Sequence, residues 1–249
     1  MSKIILLIYV FEQYMVSDHP KHSPDVSLPT DQNEEFSCVF RTRLGHHYLL
    51  YGAEMDGLKI DDKLTNTEEP INDAGKLKDL LEKGLAKFVE LKSSADASIN
   101  KREWSKICRF KSLRWWVQCY MGGIQEVVCG YRGEDGIIRS LQTFRVETLP
   151  QLGQGHWNPD VCLDYCSRFL DLVTNHVSNG PDEVIWSFIW NPQHPDNIEI
   201  GQVNKDSQYS FLHRWFTDEF KKNAKRKSDT SPSSLRESSD KSKAKVKIG

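Results

Sequence analysis

The chain has 249 residues, room for one large domain or two small ones and for a sizeable core. Charged residues make up 27% against 38% apolar, and 33 Lys and Arg against 35 Asp and Glu leave a formal charge of −2, which excludes bulk disorder and a basic nucleic-acid coat. The average hides an asymmetry: residues 221–249 hold ten Lys and Arg against three acids, so that tail is +7 and the first 220 residues carry −9.

Lys3 and the apolar run after it imitate an export signal. The run is short, however, and leads into Glu12-Gln13-Tyr14 without a small-residue cleavage site. No segment approaches the ~20 apolar residues that span a bilayer, so no membrane partner is expected. Six cysteines (Cys38, Cys108, Cys119, Cys129, Cys162, Cys166) lack a C-x-x-C pair and read as reduced core residues of an intracellular protein.

In chain order, residues 4–15 are apolar except at Glu12 and Gln13, which predicts a buried helix or strand carrying an acid that needs a partner. Residues 17–33 hold three prolines and read as a surface loop. Residues 36–43 and 48–55 predict two strands joined at Leu44-Gly45-His46-His47. A charged stretch with a short helix over 76–83 follows, then an alternating strand over 85–91 and a polar linker over 93–103. Residues 109–121 predict a helix stopped by Gly122-Gly123, and 126–132 with 137–146 a hairpin around Gly133-Glu134-Asp135-Gly136. Asn158-Pro159-Asp160 opens a helix to about Val177. Strands over 183–190 and 198–203 and a last helix over 211–220 complete an α/β (α+β) chain with a mixed central sheet flanked by helices. The expected domain is 1–220, with a disordered basic tail over 221–249.

The most informative spacing is Glu54-Met55-Asp56 at the end of one strand and Glu90-Leu91-Lys92 on another. Residues i and i+2 of a strand share a face, so neighbouring strands would converge three carboxylates and one ammonium. Clustered acids raise one another's pKa unless a divalent cation sits among them, and oxygen-only ligands select Mg²⁺ or Mn²⁺. Such an Asp…Glu-x-Lys set is the pattern of metal-dependent PD-(D/E)xK nucleases. The spacing alone leaves open an exposed strand with a surface ion pair, although apolar residues flank both motifs. Gln118, one turn beyond Arg114 and Trp115, reads alone as a surface glutamine.

Together these residues resemble the DXO family of RNA 5′-end decapping exonucleases. Residues 9–15 (YVFEQYM) resemble its G-Y-K-F-E motif, with Ile8 and Val10 in place of the glycine and lysine. Residues 36–45 resemble its arginine-bearing strand pair, Glu54-Met55-Asp56 its E-x-D motif, Glu90-Leu91-Lys92 its E-x-K motif and Trp115-Trp116-Val117-Gln118 its glutamine-bearing helix. Residues 128–132, Asp135-Gly136, residues 141–144, Trp157-Asn158-Pro159 and Trp215-Phe216 keep the family order, so the resemblance covers roughly residues 9–217.

The resemblance implies a PD-(D/E)xK core in which Glu12, Glu54, Asp56, Glu90 and the Leu91 carbonyl hold Mg²⁺ or Mn²⁺, two ions in all. Glu54, Asp56, Glu90 and Lys92 would be catalytic, and Ser37, Glu54, Lys92 and Gln118 would face substrate. It implies removal of NAD-type and incomplete caps and 5′-to-3′ degradation of 5′-monophosphate RNA in RNA quality control. The family continues upstream of the first motif, so the chain reads as N-terminally shortened. The alternative is a catalytically impaired paralogue that supports a partner 5′-3′ exoribonuclease.

His46-His47, with no Cys or further His nearby, reads as a solvent-exposed turn pair rather than a transition-metal site. Cys162 and Cys166 at i, i+4 read as core packing, as do Trp115, Trp116, Trp186 and Trp190 rather than base-stacking platforms. The segment KKNAKRK (221–227) reads as a nuclear address or RNA tether, with a solvated tail as the bland alternative and a nuclear, also cytoplasmic, location as the expectation.

Overall fold

The computed structural model describes residues 3–19, 21–31, 35–61, 73–97, 100–178, 184–203, 208–210, 212–213 and 215–219. The chain divides into two compact units, Met1–Leu172 and Val173–Gly249. The expected basic tail lies outside the described residues, as do parts of the 17–33 loop, the 57–84 stretch and the last helix.

The first unit opens with helix α1 (Lys3–Met15). Strands β1 (Ser37–Leu44) and β2 (His47–Glu54) form an antiparallel hairpin, paired from Ser37 opposite Glu54 to Leu44 opposite His47. Gly45 turns the chain at φ 60°, a left-handed conformation suited to glycine. Both strands alternate strictly in exposure, so one face of the hairpin packs and the other meets solvent.

A second sheet carries the core, in the order β3-β4-β5-β6. Its strands are β3 (Gly57–Ile60), β4 (Ala86–Ala95), β5 (Glu126–Arg132) and β6 (Ile138–Arg145). β3 and β4 are antiparallel, β4 and β5 parallel, β5 and β6 antiparallel, so the expected mixed sheet is present. A parallel step needs a crossover, which helix α3 (Lys101–Lys106), a π-helical turn (Ile107–Lys111) and helix α4 (Ser112–Gly122) supply. Asn100 caps α3 by accepting from the Arg102 and Glu103 N–H groups, and Gly123, at φ 67°, ends α4.

Three expectations change. β3 falls in a stretch read as charged, with no strand expected; its four residues are too few for a periodic signal. β4 does not alternate, because a central strand covered on both faces buries Phe88, Val89, Glu90 and Leu91 in succession. It also runs on to Ala95, into the residues read as linker.

The core gathers Met55, Phe88, Ile107, Trp115, Trp116, Cys119, Val127, Cys129, Tyr131, Phe144 and Leu149 between this sheet and α4. Trp157 donates to the Ser112 hydroxyl at 2.9 Å, and that hydroxyl donates to the Cys108 carbonyl, so a buried polar side chain at the start of α4 is fully partnered. Helix α2 (Ala74–Glu82) lies near its expected place, capped by Asp73. After a short helix α5 (Leu149–Leu152), helix α6 (Pro159–Ser178) starts where Asn158 accepts from the Asp160 N–H at 2.8 Å. Cys162 packs against the core, as expected, whereas Cys166 is half-buried and outside the core cluster.

The second unit contains the antiparallel pair β7 (Ile185–Trp190) and β8 (Ile198–Val203). His176 sets its ring edge-on to Trp186 at 4.6 Å. Trp190 was read as core but is 53% exposed, whereas Trp115 and Trp116 are buried. No described helix is long and apolar enough to cross a membrane.

Candidate functional site

Glu90 is the centre of the site. It sits midway along β4, opposite Val127 of β5, and is fully buried. A buried carboxylate costs several kcal/mol unless it is paired and hydrogen-bonded, and two groups meet one oxygen of this one. Lys92, two residues on and on the same face, forms an ion pair with Glu90 Oε1. Gln118 of α4 donates Nε2–H to the same oxygen at 2.6 Å. Glu90 Oε2 is buried without a hydrogen-bond partner.

Asp56 reaches this point through β3. Gly57 pairs with Val89, so the residue before Gly57 lies beside Glu90 and Leu91. The Asp56 carboxylate accepts the Leu91 N–H at 2.7 Å and stands 3.9 Å from the Lys92 ammonium. The two motif strands are therefore joined by a strand that sequence reading missed: Glu54 ends β2, and Asp56 lies in the link to β3 rather than on a strand.

Glu54 pairs with Ser37 at the open end of the hairpin, and both are exposed. The hairpin is continued there by the Met55 N–H, which donates to the Phe36 carbonyl at 2.9 Å. Tyr51 ties its packed face to α4, its hydroxyl donating to the Met121 carbonyl at 2.7 Å. Sequence reading gave Tyr51 no role; its place on the packed face of β2 was the available signal.

Glu12 is brought in by α1. Its neighbour Phe11 is buried against Gly130 of β5, where an added Cβ would stand 2.8 Å from the Phe11 ring. Gly130 thus lets the helix seat on a strand that would otherwise hold it off.

The electrostatics follow from this crowding. Burial, then the charge of Asp56, push the Glu12 carboxyl up to about 7, with Glu54 and Glu90 adding to the rise. Burial, opposed by Lys92 and reinforced by Asp56, raises Glu90 to about 7. Glu54 is raised by burial and by Glu35 and Asp56. Burial works against the Lys92 ammonium, but Glu90 and Asp56 outweigh it and raise its pKa. Cys119, buried beside the same carboxylates, is held protonated by burial.

The predicted carboxylates, Lys92 and Gln118 thus lie in one neighbourhood, with Ser37 opposite Glu54 at its edge. Their carboxylate oxygens do not, however, form a group within 4.8 Å of one another; among the described residues only His46, His47 and Asp171 do so. The Lys92 ammonium stands between the Glu90 and Asp56 carboxylates. The donors nevertheless suit a hard divalent cation: they are all oxygens, one is orphaned in the interior, and two titrate high through burial and the repulsion of neighbouring acids.

Comparison with known proteins places these residues in context. Residues 1–217 match the family model described as RAI1 like PD-(D/E)XK nuclease. The chain is 31% identical to the decapping and exoribonuclease protein of Homo sapiens over 221 residues, 88% of this chain and 50% of that protein. It is 32% identical to the corresponding protein of Rattus norvegicus, again over 88% and 50%. The chain spans about half the length of these curated relatives. Its fold is similar to that of Candida albicans Rai1 in complex with pU5-Mn²⁺, with a TM-score of 0.66 at 17% identity over 85% of this chain and 55% of that one. It is also similar to Scheffersomyces stipitis Rai1 in complex with (3′-NADP)⁺ and calcium, at 0.64 and 19% over 88% and 54%.

Proposed function

The chain belongs to the RAI1-like PD-(D/E)XK nuclease family, and on that premise we propose that it is a divalent-metal-dependent hydrolase of RNA 5′ ends. The observation that carries this reading is the buried Glu90 carboxylate, which faces Lys92, Gln118 and Asp56 and keeps one oxygen unpartnered. Glu12, Glu54, Asp56, Glu90 and the Leu91 carbonyl would hold Mg²⁺ or Mn²⁺, two ions by family likeness. When bound, the metal supplies Lewis-acid stabilisation of charge at the scissile phosphodiester.

The chain's own groups have separable tasks. Asp56, fixed by the Leu91 N–H, keeps one carboxylate oxygen in place on the β4 side of the site. Lys92 is half-buried and charged, able to move from the carboxylates to a substrate phosphate that brings its own negative charge. Gln118 holds Glu90 on one side and, as an exposed neutral donor, offers its amide to substrate. Ser37, exposed at the hairpin's open end, would contact substrate, and Glu54 opposite it would face the scissile phosphate as well as the metal.

The proposed substrates are NAD-capped, incompletely capped and 5′-monophosphate RNAs, in RNA quality control, with a 5′-3′ exoribonuclease as the candidate protein partner. Nuclear entry is proposed to rest on the basic segment at 221–227. Incubating the full chain and Mn²⁺ with matched RNAs carrying an NAD, incomplete-cap, monophosphate or hydroxyl 5′ end tests the reading. Consumption of the first three from the 5′ end supports it; binding without turnover of any of them rejects it in favour of a scaffold.

A further inference from the structure

Away from the acidic site lies a second cluster, at the pair read as an exposed turn; the exposure holds for His46 but not for His47. His46 closes the β1–β2 turn and His47 opens β2; their rings lie 4.0 Å apart. The His46 side chain is 70% exposed, but that of His47 is only 10% exposed. Asp171 of α6 faces both: its Oδ1 lies 2.8 Å from His46 Nε2 and 3.1 Å from His47 Nε2. The contact between helix and turn extends one helical turn back, where the Ser167 hydroxyl stands 3.5 Å from the position of a Cβ on Gly45.

Two features separate this cluster from an ordinary hydrogen-bonded group. The ligand atoms of all three residues lie within 4.8 Å of one another. The His47 Nε2 is buried without a hydrogen bond, although it points at the shared carboxylate. A buried imidazole nitrogen left in that state is costly, and a cation between it and the carboxylate would satisfy both.

We propose that His46, His47 and Asp171 form a site for a borderline divalent transition ion of the Zn²⁺ class, open at its remaining positions to water. Two imidazole nitrogens and one carboxylate oxygen suit zinc, whereas the all-oxygen site around Glu90 suits Mg²⁺ or Mn²⁺. Zinc bonds of about 2.0–2.1 Å at tetrahedral angles set ligand atoms about 3.3 Å apart. The observed 2.8 and 3.1 Å from the Asp171 oxygen to the two imidazoles lie within a few tenths of an ångström of that, and the imidazole nitrogens lie within 4.8 Å of each other. The ion would pin the closed end of the hairpin to α6. The open end, carrying Ser37 and Glu54, lies about 23 Å further along eight-residue strands, at roughly 3.3 Å per residue. The role is thus structural, fixing from one end the hairpin that presents substrate-facing residues at the other.

The test uses the full chain without a histidine tag, dialysed against micromolar Zn²⁺ in millimolar Mg²⁺ so that the oxygen site is saturated. Metal content by mass spectrometry should show one more zinc per chain in the wild type than in His46→Ala or Asp171→Asn, with affinity at least about tenfold weaker in the variants. His46 is exposed, so its removal leaves folding intact, and cysteine-bound zinc is common to all the proteins. In thermal melts, Zn²⁺ should raise the melting temperature of the wild type and of Glu90→Gln but not of His46→Ala. Equal zinc content in all proteins, or equal zinc stabilisation of His46→Ala, would overturn the proposal.

Discussion

The Asp56 carboxylate accepts the backbone N–H of Leu91 at 2.7 Å, which docks the link after β2 onto the middle of β4, between Glu90 and Lys92. This contact makes one site out of motifs that are remote in sequence. Asp56→Ala should destabilise the chain by about 1–3 kcal/mol, because it leaves that N–H without its acceptor. Asp56→Asn keeps an acceptor oxygen and should retain most of the stability while losing Mn²⁺ affinity. Urea midpoints and manganese titrations on the two variants separate the structural role from the electrostatic one.

Glu90 and Lys92 should respond oppositely to neutralisation. Without metal, Glu90→Gln removes a buried acid whose ionised form is disfavoured, so its stability at pH 8 should equal or exceed that of the wild type. Lys92→Met deprives Glu90 and Asp56 of their cation and should be destabilising, on the order of 1–3 kcal/mol. Thermal melts of the metal-free proteins at pH 8 check the ordering, Glu90→Gln above Lys92→Met.

The pH dependence follows from the two raised carboxyls. Glu12 and Glu90 ionise at about 7 in the folded chain against 4.5 ordinarily, so over that window the folded state binds more protons than the unfolded one. Their contribution to the stability of the metal-free chain therefore falls as pH rises from about 4.5 through about 7. A divalent ion needs these acids ionised, so its affinity should rise over the same window and its binding at pH 6.5 should release protons. Calorimetric Mn²⁺ titrations at pH 6.5 in buffers of different ionisation enthalpy measure that release; Glu90→Gln should release fewer protons.

Much of the site was legible in the sequence, for a definite reason. Glu90 and Lys92 are two apart on one strand, so their shared face follows from strand geometry alone. The E-x-D motif was harder, because its link to β4 depends on β3, four residues inside a charged stretch. Glu12 was recognisable as an isolated acid in an apolar run, but its orientation depends on Phe11 seating over Gly130. The burial of His47 was not legible, because the residue that faces it, Asp171, lies far along the chain on α6.

Gly130 should be intolerant of any side chain. A Cβ there would stand 2.8 Å from the Phe11 ring and 2.9 Å from Ile138, so Gly130→Ala must displace these side chains and with Phe11 disturb the seat of α1. A destabilisation of about 1–3 kcal/mol is expected, with weaker Mn²⁺ binding because Glu12 moves with the helix. Gly130→Ala combined with Phe11→Leu should recover part of both losses, measured by urea midpoint and manganese titration.

The central claim is that the acids gathered around Glu90 make this chain a metal-dependent RNA hydrolase. Its most direct test is the rate at which the full chain degrades 5′-monophosphate RNA with Mn²⁺, measured beside Glu90→Gln and a chelator control. The wild type should degrade the RNA only with metal present, and Glu90→Gln, folded by circular dichroism, should show no turnover. Degradation by Glu90→Gln at the wild-type rate, or by the wild type in chelator, would contradict it.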